Sequence, residues 1–114
     1  MNVCHYETSG GKDLILTYID ELPKNEKAEG LLIIKKLKDD GLQALSILNT
    51  RQLQGKLWEI KFHANRIIYV VADEENMYLL HACRKQKGKA EKFELDTAVR
   101  RVKELEGELG KRFV

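Results

Sequence analysis

The sequence predicts an α+β fold in which a small, mostly antiparallel sheet has helices packed on one side, in the order β-α-α-β-β-β-α. Apolar residues repeat at helical spacing towards both ends of the chain and at a spacing of two in its middle. Short turns separate the central segments, which is typical of an antiparallel meander. With 114 residues, 43% of them apolar, we expect a single domain over residues 1–114.

The first half of the chain reads as a strand and two helices. Residues 2–7 are compatible with a short strand, and apolar spacing predicts a helix from Leu14 to Leu22 that ends at Pro23. A second helix is expected from about Asn25 to Asp40, with Gly41 marking its end. Its apolar side is predicted to comprise Ala28, Leu31, Ile34 and Leu37.

The second half reads as three strands and a helix. Residues 42–50 have no clear pattern, but alternation predicts a strand over Leu57–Phe62. Arg66–Val71 is rich in β-branched residues, and a third strand runs from Met77 to about Cys83. The last helix starts near Ala90. Its apolar stripe is predicted to comprise Leu95, Ala98, Val99, Val102, Leu105 and Leu109.

Positive charge is concentrated in the predicted sheet. The whole chain has a net charge of +2, whereas residues 51–89 carry eight basic and four acidic side chains. Lys61 and Arg66 flank a four-residue interval, so they are expected to be cross-strand neighbours. Two opposed cations repel, and the pair is easier to understand if an anion lies between them. His81, Cys83 and Lys85 share a strand face and lead into a basic run, for which a phosphodiester backbone is the natural complement.

Other chemistries lack support in the sequence. No apolar run reaches the ~18 residues of a membrane span, and no leader, Gly-rich phosphate loop, CxxC pair or HExxH motif is visible. We therefore expect a cytoplasmic protein without metal or cofactor, in which Cys4 and Cys83 are reduced thiols. Single residues also have plainer interpretations: the lysines as solvated surface charge, His81 as a packed, hydrogen-bonded histidine, and Trp58, Tyr69 and Tyr78 as core residues.

Three segments resemble one toxin superfamily. Leu53–Lys61 followed by Arg66–Tyr69 is similar to the pattern L-x-G-x-L-[YW]-E-[LI]-[RK] … R-[IV]-x-[YF] of RelE/HigB-type toxins. Leu79–Lys87 resembles the run L-L-H-x-F-x-K-K-T of the phage-derived HigB-like branch, and Glu94–Ala98 resembles its E-[IL]-x-x-A. The resemblance covers residues 3–106 in the same element order and implies a RelE-like fold.

Five positions depart from the pattern. Gln86 and Lys87 replace the second lysine of the K-K pair and the following threonine, and Cys83 replaces the aromatic residue. Glu91 stands where a proline often opens the last helix. Lys61 replaces an arginine, which keeps the charge but loses the bidentate fork.

The resemblance implies the toxin of a type II toxin–antitoxin system, a metal-free mRNA endoribonuclease that usually acts in the ribosomal A site. The implied partners are a cognate antitoxin, often of helix-turn-helix type, the mRNA and the ribosome, with no membrane. Attack of the ribose 2′-OH on phosphorus needs a base, an acid and cations. The resemblance makes Lys61 and Arg66 charge stabilisers, Lys85 a stabiliser or proton donor, and His81 an acid or base. Backbone-tracking residues are expected to be Lys56, Arg84, Lys87 and Lys89.

Two other functions remain open at this point. The departures at Lys61 and Gln86 also suit a non-catalytic RNA- or ribosome-binding protein on the same fold, such as a decayed toxin. The basic surface also suits a protein-interaction module that meets an acidic partner segment.

Overall fold

The computed structural model describes residues 1–114 and contains three α-helices, one 3₁₀ helix and five strands. The strands are β1 (Asn2–His5), β2 (Asn49–Gln54), β3 (Leu57–Phe62), β4 (Asn65–Val71) and β5 (Asn76–Arg84). The α-helices are α1 (Leu14–Asp20), α2 (Lys24–Asp40) and α3 (Lys89–Leu109), and the 3₁₀ helix covers Gly41–Ser46. No helix has both the length and the apolar character needed to cross a bilayer.

The strands form one mixed sheet in the order β1-β5-β4-β3-β2. The central strands pair antiparallel, whereas β1 runs parallel to β5. The predicted α+β class is confirmed. Strand β2 was not predicted, because only one of its six residues, Leu53, is apolar and an edge strand needs little burial to pair.

Local signals set the ends of the first two helices. The Asp13 carboxylate accepts hydrogen bonds from the backbone N–H groups of Ile15 and Leu16, which caps α1. Pro23 lies directly before α2, in keeping with the predicted break there.

The apolar side predicted for α2 is partly wrong. Ile34 and Leu37 are buried as expected, but Ala28 and Leu31 are exposed. Gly30 is buried instead, because its missing side chain lets the helix approach Phe62 closely. The buried side of α2 therefore comprises Gly30, Ile33, Ile34 and Leu37, and apolar spacing does not register Gly30 because it has no side chain.

Helices cover both faces of the sheet, which corrects the expected one-sided packing. On one face α1 and α2 bury an apolar cluster with Ile60 and Ile67. On the other face α3 buries a second cluster with Leu57 and Ile68. Ile67 and Ile68 are adjacent in β4 and both fully buried, so this strand needs a covering layer on each side.

A β-bulge in β5 orients the strand end that carries the predicted site. The register with β4 shifts between Ile68 and Tyr69, so Leu80 is the extra residue. Leu80 packs in the α3 cluster, and the neighbouring His81 also contacts α3. The bulge therefore lets two consecutive side chains reach the same helix.

A charged cluster beneath the start of α3

The predicted pairing of the two sheet cations is confirmed. Lys61 of β3 lies directly opposite Arg66 of β4, and Arg66 lies opposite Cys83 of β5. The three residues form one row across the sheet on the face covered by α3. This row is at the sheet end near the first turns of that helix.

Arg66 is buried and bound by carboxylates of the protein itself. Its side chain is 2% exposed, and its Nε lies 3.4 Å from Oε2 of Glu59, which is fully buried. Its Nη2 donates a hydrogen bond of 3.3 Å to Oε1 of Glu91. The counter-anions of Arg66 are thus supplied by the protein itself, whereas Lys61 forms no ion pair.

Arg51 of β2 completes a ladder of alternating charge. Its Nε and Nη2 lie 2.8 and 2.7 Å from Oε1 of Glu59, and its Nη2 lies 3.5 Å from Oε1 of Glu91. The hydrogen bond from Arg66, together with the charge of Arg51, holds the pKa of Glu91 below its usual value. The ladder Arg51–Glu59–Arg66–Glu91 therefore balances two positive charges with two negative ones.

His81 has both ring nitrogens occupied. Arg101 donates a 3.0 Å hydrogen bond to Nδ1, so the ring proton resides on Nε2, which contacts the Glu94 carboxylate. Burial lowers the pKa of His81, although Glu94 opposes the shift. The structure thus holds His81 as a neutral, packed imidazole, and its role as an acid or base stays a prediction.

His81, Cys83 and Glu94 bring three possible metal ligands together, with ligand atoms within 4.8 Å of one another. The surroundings do not suit a metal. Binding through Nε2 would move the ring proton to Nδ1, where it would face the Arg101 donor rather than an acceptor. Burial, reinforced by Glu94, raises the pKa of the Cys83 thiol to about 12, so the thiol stays protonated.

Four predicted lysines at this end of the sheet remain without an internal counter-ion. Lys61 is half-buried, Lys85, Lys87 and Lys89 are exposed, and none of them forms an ion pair. The backbone N–H of Lys85 donates a 2.7 Å hydrogen bond to the carbonyl of Ala64, which ties the basic run to the β3–β4 turn. We call Lys61, Lys85, Lys87 and Lys89 the free lysines.

Two predicted RNA-binding residues lie elsewhere. Lys56 is in the β2–β3 turn, at the other end of β3 from Lys61. Arg84 lies opposite Asn65 in the sheet. The side chain of Asn65 accepts a hydrogen bond from the Tyr18 hydroxyl on the α1 side of the sheet. Lys56 therefore lies at the other end of the sheet from the free lysines, and Arg84 lies on the opposite face from Arg66.

A cleft of about 480 Å³ opens between β2 and the start of α3. Its wall includes Arg51, Arg66, Gly88, Glu91 and Lys92 but none of the free lysines. A larger cleft of about 720 Å³ lies between β1, β5 and the later turns of α3, and none of the predicted site residues lines it. The smaller cleft is thus the concave surface that reaches the charged ladder.

Sequence reasoning missed Arg51, Glu91 and Arg101 as members of the cluster. Arg51 stands in the strand that was not predicted, Arg101 belongs to a helix whose apolar stripe alone was predicted, and Glu91 was noted only as a departure from a family pattern. The one available signal was Glu91 itself, which replaces a common proline. Charge pairing across 20 or more residues leaves no local pattern to read.

The fold and the cluster define a small α+β protein with an internally neutralised arginine pair and a set of unpaired lysines at one end of the sheet. A family model for the phage-derived protein Gp49-like family (DUF891) matches residues 17–103. The chain belongs to this family, which is toxin-like and related to RelE and HigB. No curated protein matches the chain.

Proposed function

We propose that the chain is the toxin of a toxin–antitoxin pair and that it acts as an mRNA endoribonuclease on the ribosome. Membership of a toxin-like, phage-derived family supports this proposal. The observation that carries it is the grouping of the free lysines with Arg66 at one end of the sheet. Unpaired cations beside a strand end are what a single-stranded phosphodiester backbone requires.

In the proposed reaction the ribose 2′-OH attacks the adjacent phosphorus and the bond to the 5′-oxygen breaks. The products are a 2′,3′-cyclic phosphate and a 5′-hydroxyl end, so no water or metal is consumed. A base takes the proton of the 2′-OH, and an acid returns a proton to the leaving oxygen. Lys61, Lys85 and Arg66 stabilise the additional negative charge at phosphorus.

Proton transfer is assigned to the side chains that can reach solvent. Lys85 is exposed and serves as proton donor or stabiliser. His81 can take part only after it leaves Glu94 or Arg101, since both of its nitrogens are occupied. The ribosome, by holding the message in place, supplies the orientation that this open site does not.

The proposed partners follow from the same surface. A cognate antitoxin, of the helix-turn-helix type that such toxins often have, inhibits the toxin by covering the free lysines with an acidic segment. Its gene is expected beside that of the toxin. The proposed place of action is the cytoplasm, where messenger RNA and ribosomes meet.

The experiment is induced expression in a bacterial host, with mapping of mRNA 5′ ends and measurement of growth. The wild type is expected to arrest growth and to leave cuts in translated messages. Lys61→Gln combined with Lys85→Gln is expected to slow cleavage by about 100-fold or more. Lys103→Gln, a matched change at an exposed position of α3, is expected to behave like the wild type.

A second function is favoured by the occupied state of His81 and Arg66. A protein that binds RNA or the ribosome without cleaving it needs only the free lysines. Its binding would not be impaired by the burial and pairing of His81 and Arg66. Ribosome binding without cuts in mRNA would support this alternative. A wild type that neither arrests growth nor binds ribosomes at low salt would overturn both functions.

A further inference from the structure

The cleft beside β2 contains one carboxylate oxygen between two arginines. Oε1 of Glu91 lies 3.3 Å from Nη2 of Arg66 and 3.5 Å from Nη2 of Arg51. An oxygen shared by two guanidinium groups has the environment that arginine pairs give to a phosphate oxygen. Glu91 thus stands where a bound anion would stand.

The two carboxylates of the ladder are not equivalent. Glu59 is fully buried and contacts both arginines from inside the sheet. Glu91 has 40% of its side chain exposed and borders the cleft. A carboxylate that still faces solvent can rotate away, whereas a fully buried one cannot leave without unpairing an arginine.

The start of α3 also favours a negative charge at this position. Glu91 is in the first turn of α3, and the residue before that helix, Gly88, provides no side-chain cap. The helix dipole therefore stabilises an anion here, whether it is the Glu91 carboxylate or a bound ligand. Nε of Arg66 makes no hydrogen bond and faces Oε2 of Glu59 in the interior at 3.4 Å, so the donor that meets the exchangeable anion is Nη2, which contacts Glu91.

We propose that Arg51 and Arg66 form a phosphate site in this cleft and that Glu91 is its resident counter-anion. A ligand phosphate must displace the Glu91 carboxylate to bind both guanidinium groups. The site therefore restrains its own affinity, and Arg51 becomes a ligand of the substrate backbone. The identity of the ligand as RNA rests on the proposed function, whereas the anion exchange itself does not.

The competing interpretation makes Glu91 only a clamp that fastens the start of α3 to the sheet. A clamp predicts that loss of the carboxylate loosens α3 and leaves anion affinity unchanged or lower. A counter-anion predicts the opposite sign, because the same loss removes a competitor from the site. The direction of the affinity change therefore separates the two.

The experiment measures binding of a short single-stranded RNA that carries 2′-O-methyl groups and so cannot be cleaved. Glu91→Gln is expected to bind it about three- to tenfold more tightly than the wild type at low salt. The slope of log K against log salt should steepen by about 0.7 for each additional phosphate that the variant binds. The double variant Glu91→Gln with Arg51→Gln should lose most of the added affinity.

A matched control removes the same charge from the other end of the helix. Glu108 is an exposed glutamate of α3 outside this cleft, so Glu108→Gln changes the net charge equally. Its affinity and salt slope are expected to remain near those of the wild type. Equal behaviour of the Glu91 and Glu108 variants would overturn the inference.

Binding of pyrophosphate tests the counter-anion without using RNA. If Glu91→Gln binds pyrophosphate more tightly than the wild type while neither binds the oligonucleotide, the counter-anion stands and the proposed function falls. If the wild type cleaves mRNA but Glu91→Gln binds neither probe more tightly, the function stands and the counter-anion falls. Glu91→Asp, which shortens the carboxylate arm and keeps the charge, should give an intermediate increase in affinity if the glutamine variant folds poorly.

Discussion

The contact between α3 and the sheet has two halves of opposite character. Leu57 and Glu59 are two residues apart on the same face of β3, and both are fully buried. Leu57 packs in the apolar cluster with Val102 of α3, whereas Glu59 contacts two arginines. One helix thus covers an ordinary core at one end and a charged network at the other.

The difference indicates that stability alone does not account for the charged half of this contact. Apolar side chains of similar volume often stabilise a fold as well as buried ion pairs do, since ion pairs must first lose their hydration. The charged half is also the half that borders the small cleft and the free lysines. Departures from the simplest packing are expected at functional sites, and this end of the sheet fits that expectation.

The largest effect is expected from Glu59→Gln. The change leaves buried Arg66 without its interior counter-charge, so the free energy of unfolding should fall by about 3–5 kcal/mol. Chemical denaturation measures it. A second change, Arg66→Met, made in the Glu59→Gln background should recover much of the loss, because the unpaired charge is gone.

Leu57→Ala is the matched change in the apolar half. It should cost about 2–5 kcal/mol through lost burial and the cavity left behind, without dependence on salt. The prediction would be contradicted if Glu59→Gln lowered the free energy of unfolding by less than about 1 kcal/mol while Leu57→Ala lowered it by the expected amount. The charged half would then contribute little to the stability of the fold.

An intermediate effect is expected from pH acting on His81. Burial lowers the pKa of His81 in the folded state, so the unfolded chain takes up this proton first, near pH 6.5. Its contribution is therefore complete above pH 6.5 and is lost as the pH falls through the folded pKa. Thermal unfolding between pH 5 and 8 should show this decline, and His81→Gln should remove it.

The same decline in His81→Gln as in the wild type would contradict this prediction. The carboxylates whose pKa values are lowered, Asp73, Glu91 and Glu106, lose their contribution only in more acidic solution, below their usual pKa of 4.5 or less. The effect of His81 on stability and the effects of these carboxylates therefore fall in separate pH ranges.

The smallest effect is expected from Glu91→Gln on stability. Its carboxylate is partly exposed and its contacts with arginine are long, so solvent screens them. The melting temperature should fall by no more than about 3 °C, and high salt should abolish the difference. A larger, salt-independent loss would favour the clamp over the counter-anion.

Local patterns predicted most of the elements. The alternation over Leu57–Phe62 matched its strand at both ends, and the helix predicted from about Asn25 to Asp40 begins one residue earlier. The Lys61–Arg66 pair was predictable because a short turn fixes the antiparallel register. Strand β2 escaped because polar edge strands carry no strong alternation.

The site was less predictable than the fold. The sequence indicated the basic residues but could not show that Arg66 is buried between Glu59 and Glu91, while Lys85 stays exposed. It also could not show that Arg84 faces away from Arg66, since faces depend on the register of each pair. The roles of the individual residues in catalysis and RNA binding stay predictions.

The sequence by itself determined the order of the elements apart from β2 and the 3₁₀ helix, the cross-strand pair and the excess of positive charge in the sheet, because periodicity and turn length are local properties. Only the tertiary structure decided which of those charges are available. Docking of α3 on the second face of the sheet brings Glu91 and Arg101 onto Arg66 and His81, from positions 20 or more residues away. Ion pairing over such separations depends on how the layers pack, and no pattern along the chain encodes it.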